Sequence, residues 1–216
     1  MYRYETLADK FIQDIITDSK HVVGVTGTSC IGKSMFTKLI SSKLQLTCSV
    51  TVINVDSYLK EEVRGGTKFW DYSHEYLKPE LFDWKTLAYD VKRLKQGESV
   101  EIEAYVRGIG WGNTVVLEPA DVIVLEGLFL DSVQAAEFVP YDMMIALSAE
   151  DDFIRKLRID RDNYYRKNFK EFKRTEEETL KEIENTLKAG KSYQVSDSIS
   201  DYRKLFVEEG FWVTIL

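Results

Sequence analysis

The run Gly27-Thr28-Ser29-Cys30-Ile31-Gly32-Lys33-Ser34 follows the pattern G-x-x-x-x-G-K-[ST] without a mismatch. Glycine at 27 and 32 lets the backbone turn tightly and approach an anion with no Cβ in the way. Successive N–H groups of such a loop converge on one concavity at the positive end of the helix that follows, where phosphate is favoured. Lys33 adds a point charge for the outer phosphates, and the Ser34 hydroxyl is a suitable oxygen ligand for Mg²⁺. The pattern gains meaning from its flanks. His21-Val22-Val23-Gly24-Val25-Thr26-Gly27 before it reads as a buried strand, and Met35, Phe36, Leu39 and Ile40 after it recur at helical spacing. Without those flanks the run would be a Gly-rich turn with an incidental lysine.

Two acids stand where they could complete the chemistry. Asp56 follows the apolar run Val50–Val55, and Glu126 follows Val122–Leu125. In an open parallel sheet, ligands sit beyond the carboxyl ends of the strands, so both acids are expected on the rim that carries the loop. Glu126 would then hold Mg²⁺ directly or through water, and Asp56 would accept the proton of an attacking hydroxyl. Asp56-Ser57 could equally cap a turn, and Glu126 could be a solvated strand-end acid, although Gly127 suits a crowded rim.

A third feature is a basic island. Phe153 to Arg174 holds nine Lys/Arg and three Asp/Glu inside a chain of net charge −7. Arg158 and Arg161 stand on one helical face, with Arg166 beyond them. Guanidinium forks match phosphoryl oxygens, and a helical lid carrying them over a triphosphate fits the pattern. The competing reading is a solvated helix laced with pairs such as Arg158–Asp162.

The elements that must position these residues can be read along the chain. Leu7, Phe11, Ile12, Ile15 and Ile16 recur as in a helix. Strands are expected at 21–27, 49–55, 121–127 and 141–147, with a last one at 211–216. Helices are expected at about 32–46, around Leu87, Val91 and Leu94, and across the charged segment at about 150–190. Residues 100–117 alternate as a hairpin about a Gly108–Gly112 turn. The long stretch from Ser57 to Asp83 is expected, by its length, to be a functional or a mobile loop. Strands alternating with helices imply an α/β fold, a parallel sheet covered on both faces. At 216 residues, with no linker or repeat, one domain spanning 1–216 is expected. The two cysteines make no disulfide framework, which points to a reducing, cytoplasmic location. There is no signal peptide and no run of ~20 apolar residues for a membrane span. The acidic balance argues against a nucleic-acid partner.

Six runs in this order and spacing resemble the uridine–cytidine kinase family, within the wider uridine kinase, phosphoribulokinase and pantothenate kinase group. They are the Gly27–Ser34 loop, Val55-Asp56-Ser57-Tyr58, Pro79-Glu80-Leu81-Phe82-Asp83, Glu103-Ala104-Tyr105, Leu125-Glu126-Gly127 and Arg158-Ile159-Asp160-Arg161-Asp162. The resemblance covers about residues 20–175. It implies a P-loop NTPase fold with a five-stranded parallel sheet, a hairpin insert at about 98–118 over the acceptor site and a lid at about 155–175. It implies transfer of the γ-phosphate of ATP, with Mg²⁺, to a hydroxyl of a small molecule, above all the 5′-hydroxyl of a nucleoside. Asp56 would be the general base, with Lys33 and Arg161 also in the catalytic set. Asp83 would bind sugar hydroxyls, unless it caps the helix beginning at Trp84. Tyr105 would line the nucleoside pocket. Arg158, Arg161 and Arg166 would serve the phosphates, Arg158 also reaching the substrate.

The chain departs from that family at Tyr58-Leu59, where Phe-Tyr is usual. It departs again near Val106-Arg107-Gly108-Ile109-Gly110, where the family places an aromatic residue and a histidine that read the base. Arg107 would suit an acidic substrate. Two alternatives follow: a kinase for another metabolite (a riboside, vitamin precursor or sugar phosphate), or a nucleotide-binding regulatory protein whose chemistry has decayed. The joint presence of Lys33, Ser34, Asp56 and Glu126 disfavours the latter. A homo-oligomer is left open.

Overall fold

The computed structural model describes residues 2–19, 21–64, 77–106, 110–170 and 172–208. In chain order the elements are α1 (Tyr2–Thr17), β1 (Val22–Gly27), α2 (Lys33–Leu44), β2 (Val50–Asn54), a 3₁₀ turn at Val55–Tyr58, α3 (Glu61–Arg64), α4 (Trp84–Lys95), β3 (Val100–Val106) and β4 (Gly110–Leu117). They continue with β5 (Val122–Glu126), α5 (Val133–Ala136), β6 (Met143–Ser148), α6 (Asp151–Asn168), α7 (Glu176–Lys191) and β7 (Tyr202–Phe206). Five strands form one parallel sheet in the order β2-β5-β1-β6-β7, and β3 and β4 form a separate antiparallel hairpin.

The alternation of strand side chains builds a core on each face. Val23, Val25, Val124 and Ile145 pack with Phe11 and Ile15 of α1 and Phe36 and Ile40 of α2. Val22, Ile53, Leu125 and Met144 face the other way, onto Leu87 and Val91 of α4 and onto Phe129. Continuous Val/Ile/Leu runs are what a sheet buried on both sides demands. The register aligns the carboxyl ends: Asn54 of β2 lies beside Glu126 of β5, and Val25 of β1 lies beside Glu126 on its other side.

Three expectations are adjusted. The fifth strand is Tyr202–Phe206, an edge strand with one buried side chain, Leu205. The run at 211–216 lies outside the described residues. The charged segment is two helices, because Thr175 and Glu178 form a capping box that starts α7 afresh. The stretch after Asp56 contains the 3₁₀ turn and α3, and a second 3₁₀ turn at Pro79–Leu81 precedes α4. Its middle, with Phe69, Trp70 and His74, lies outside the described residues.

The edge strand β7 is secured by a buried acid. Asp131, 2% exposed, accepts hydrogen bonds from the hydroxyls of Tyr193 at 2.8 Å and Tyr202 at 2.6 Å. Hydrogen bonds to a charged group contribute ~1.5–3 kcal/mol. Tyr202→Phe is therefore expected to cost about 2 kcal/mol in denaturant unfolding, whereas an exposed Tyr89→Phe should be neutral.

Candidate phosphate-transfer site

The loop Gly27–Ser34 joins the central strand β1 to α2, and its shape follows from its residues. Gly27 has φ +137°, and a Cβ there would lie 2.4 Å from the Leu147 carbonyl oxygen. Gly32 has φ +96° and starts α2 in a left-handed conformation without a side-chain cap, so the first helical amides stay directed at the loop's concavity. Ile31 anchors the loop in the core below it. Lys33 is nearly buried and donates to the Thr28 carbonyl oxygen at 3.1 Å. On its outer side the loop meets α7, where a Cβ at Gly190 would lie 2.6 Å from the Thr28 hydroxyl oxygen.

The loop forms one wall of a cavity of about 530 Å³. Ser29, Cys30, Gly32, Lys33 and Ser34 line it, together with Asp56, Tyr105, Glu126, Arg158 and Arg161. Ser34 Oγ donates to Glu126 Oε2 at 3.2 Å. A hydroxyl and a carboxylate in contact, both hard oxygen donors, fit Mg²⁺, which characteristically takes one or two protein oxygens and completes its shell with water and substrate phosphate. Among the described residues there is no cluster of three or more His, Cys, Asp or Glu that could hold a metal by itself. Gly127 brings the two acid-bearing segments together, since a Cβ there would lie 2.6 Å from Val55 Cβ. Asp56 sits in the 3₁₀ turn, whose cap is Asn54: its Oδ1 accepts from the Asp56 amide at 3.0 Å. The capping job that Asp56 could have done thus belongs to its neighbour, and Asp56 lines the cavity.

The hairpin is bolted to that turn. Tyr105 donates its amide to Ser57 Oγ at 2.9 Å, and Trp111 donates its indole N–H to the Asp56 carbonyl oxygen at 3.2 Å. Arg64 of α3 bonds the Ser57 carbonyl oxygen at 2.9 Å and Glu103 of β3 at 2.6 Å. Leu59, Leu77 and Leu128 also line the cavity and pack in one apolar cluster with Trp111, whose ring lies 4.8 Å from that of Tyr105.

On the far side, α6 presents the arginines. Arg158, 1% exposed, donates to Ser29 Oγ at 3.2 Å and lies 3.6 Å from Glu182 of α7. Arg161 and Arg174 both bond the wholly buried Asp162, at 2.9 and 3.1 Å. Burial opposes the Asp162 charge, but the guanidinium groups of Arg161 and Arg158 and the hydrogen bond from Arg161 outweigh it, holding the carboxyl below the usual range. The competing reading, a solvated pair of Arg158 and Asp162, does not hold: both side chains are buried, and each has other partners.

Two expected site residues lie apart from the cavity lining. Asp83 caps α4, accepting from the Thr86 amide at 3.0 Å and the Thr86 hydroxyl at 2.8 Å. Arg166 braces the α6–α7 connection, bonding Thr179 Oγ1 at 3.0 Å and the Arg174 carbonyl oxygen at 3.2 Å. Two residues given no role from the sequence line the cavity, Trp111 and Arg174. The signals were a tryptophan between two glycines and the last cation of the basic island.

A phosphate loop at the end of the central strand, an acid at the end of the adjacent β5, another in the turn that follows β2, and an arginine-bearing helix define a P-loop α/β domain. Residues 22–189 match the model of the Phosphoribulokinase / Uridine kinase family, and the chain belongs to that family. It is similar to a uridine kinase of Shewanella frigidimarina, 32% identical over 123 residues that cover 50% of this chain and 53% of the relative. It is also similar to a uridine kinase of Halobacterium salinarum, 28% identical over 155 residues that cover 68% of this chain and 64% of the relative. The first of these alignments spans about half the length of the curated relative it matches. Among solved structures, a D-glycerate 3-kinase from Cryptococcus neoformans var. grubii shares the fold, with a TM-score of 0.63 at 10% identity, over 93% of this chain and 95% of that one.

Proposed function

We propose that the chain is an ATP-dependent phosphotransferase that moves the γ-phosphate to a hydroxyl of a small molecule, the 5′-hydroxyl of a uridine- or cytidine-like nucleoside. The observation that carries this reading is the contact of Ser34 with Glu126 at 3.2 Å on the cavity that Asp56 also lines. The loop amides and Lys33 bind the phosphate chain. Ser34 and Glu126 would hold Mg²⁺, which neutralises charge on the bridging oxygens when bound. Asp56 takes the proton of the acceptor hydroxyl as its oxygen bonds to the γ-phosphorus and the bond to the β-phosphate oxygen breaks, releasing ADP. Arg158 and Arg161 offset the negative charge of the transferring group. The apolar, aromatic end of the cavity, with Tyr105 and Trp111, favours an acceptor that carries a planar ring over a bare sugar phosphate. A cytoplasmic site of action goes with this reading, and no helix among the described residues is long and apolar enough to cross a membrane.

The test is a panel of acceptors with ATP and Mg²⁺: uridine, cytidine, other ribosides, a vitamin precursor and a sugar phosphate, with products read by mass spectrometry. Uridine and cytidine monophosphates, formed one for one with ADP, are the expected products. Both nucleosides inert while another acceptor is phosphorylated would overturn the nucleoside assignment. ATP binding with no acceptor turned over would overturn the enzyme reading itself.

A further inference from the structure

One face of α7 runs along the outer side of the phosphate loop. Glu182, Thr186 and Gly190 recur at every fourth residue, which places them on a single helical stripe. Thr186 and Gly190 share a small cleft with Gly27, Thr28 and Ser29 of the loop. Glu182, at the other end of the stripe, is buried, and its carboxylate lies 3.6 Å from Arg158 Nη2. The opposite nitrogen of that guanidinium, Nη1, donates to Ser29 Oγ at 3.2 Å and to Cys30 Sγ at 3.4 Å. Arg158 Nε is buried and has no hydrogen-bond partner among the described residues, so one donor is left for an anion. Burial and the neighbouring Arg161 both weigh against the Arg158 charge and draw its pKa below the ordinary value. A cation in that setting needs an acid beside it. Glu182 supplies one from outside the lining of the main cavity, to which Arg158 and Ser29 belong.

We propose that Glu182 is a positioning residue: its carboxylate holds the Arg158 guanidinium against Ser29 of the phosphate loop, and by the same charge it weakens the grip on nucleotide. This rests on the phosphotransferase reading, in which Arg158 faces the transferring group. An acid paired with a guanidinium fixes its direction, which counts when negative charge moves between oxygens in the transition state. The same acid repels a phosphate chain bound beyond that guanidinium, across a medium that screens poorly. Loss of the Glu182 charge should therefore tighten nucleotide binding and slow transfer. A helix that only packed against the loop would not drive those two quantities in opposite senses.

The experiment compares wild type, Glu182→Gln, Glu182→Asp, Arg158→Met, the Glu182→Gln/Arg158→Met double variant and Thr186→Val. Each is titrated calorimetrically with ADP–Mg²⁺, unfolded thermally, and assayed with ATP and the acceptor that wild type phosphorylates. Glu182→Gln is expected to bind ADP–Mg²⁺ about threefold tighter or more. Its kcat should fall about tenfold and its KM for ATP should fall too. Glu182→Asp keeps the charge and should bind ADP–Mg²⁺ within about twofold of wild type, with part of the lost kcat recovered. Thr186→Val, one turn along the same stripe, should leave both quantities within about twofold. Stability should be non-additive: Glu182→Gln lowers the midpoint of wild type, and adds less than about 2 °C to the loss in Arg158→Met. Where Glu182→Gln alone does not fold, a folded double variant is itself that coupling, and a double variant that also fails to fold overturns it. ADP–Mg²⁺ bound more weakly by Glu182→Gln, or stability losses that add, would overturn the inference. A kcat unchanged by Glu182→Gln sinks the positioning role and leaves the phosphotransferase standing. Tighter ADP–Mg²⁺ with non-additive stability, in a wild type that transfers phosphate to no acceptor, upholds the hold on Arg158 and sinks the phosphotransferase.

Discussion

Asp56→Asn is expected to lower kcat by ~10²–10⁴, the contribution of a positioned proton acceptor, while ADP–Mg²⁺ binds within about twofold of wild type. The substitution is a clean probe because the bonds that shape this turn run to the Asp56 backbone. Asn54 accepts from its amide, and Trp111 donates to its carbonyl oxygen. Asparagine keeps the side-chain shape and these main-chain bonds, with the one from the Leu59 amide to the Asp56 carbonyl oxygen, and removes the basic oxygen. The loss should therefore fall on kcat, with the acceptor KM little changed, which is the pattern of an interaction made in the transition state. Single-turnover measurement separates this from slowed product release. A kcat within about threefold of wild type would remove Asp56 from the role of base.

The second large effect concerns stability. Asp162 is wholly buried and accepts hydrogen bonds from Arg161, from Arg174 and from Thr179 Oγ1, the last at 3.1 Å. It joins α6, α7 and the segment between them. Removing one partner of a buried ionic cluster leaves uncompensated charge and costs ~3–5 kcal/mol. For a chain of this size, Asp162→Ala should lower the thermal midpoint by on the order of 10 °C. The pH dependence has a definite sign. The folded-state pKa of Asp162 lies below the ordinary value, so its stabilisation is present above the unfolded-state pKa of ~3.9 and fades as pH falls through the folded-state value. The difference between wild type and variant should accordingly be full at pH 7 and shrink in strong acid. A scan that shows equal stability at pH 7 would mean that Arg161 and Arg174 find other partners.

The buried strands, the phosphate loop and the two rim acids were legible because their signals are local: continuous β-branched runs, a strict eight-residue pattern, and an acid at each run's end. The edge strand β7 was not, because Tyr202-Arg203-Lys204 reads as polar, and only the sheet shows Leu205 buried beneath it. The capping box at Thr175 and Glu178 was legible and outweighed in the reading by the unbroken run of charge around it. Asp83 could be read two ways from sequence, and the hydrogen bonds to Thr86 show it capping α4. Arg158 was expected at the phosphates, but its burial was not legible, since nothing in the sequence tells that α7 will cover it and supply Glu182. Trp111 escaped notice because its orientation depends on two backbone angles that a residue string does not display.

The seat of Gly190 against Thr28 has an evolutionary corollary. The end of α7 and the rim of the phosphate loop leave no gap between them, so neither can acquire a bulkier side chain at that seam without an answering change in the other. The hairpin carries no such restriction at Val115 and Val116, which stand open to solvent on its two faces. On the proposed phosphotransferase reading, descendants of this chain should therefore diversify in the acceptor they take far more readily than in how they grip the donor.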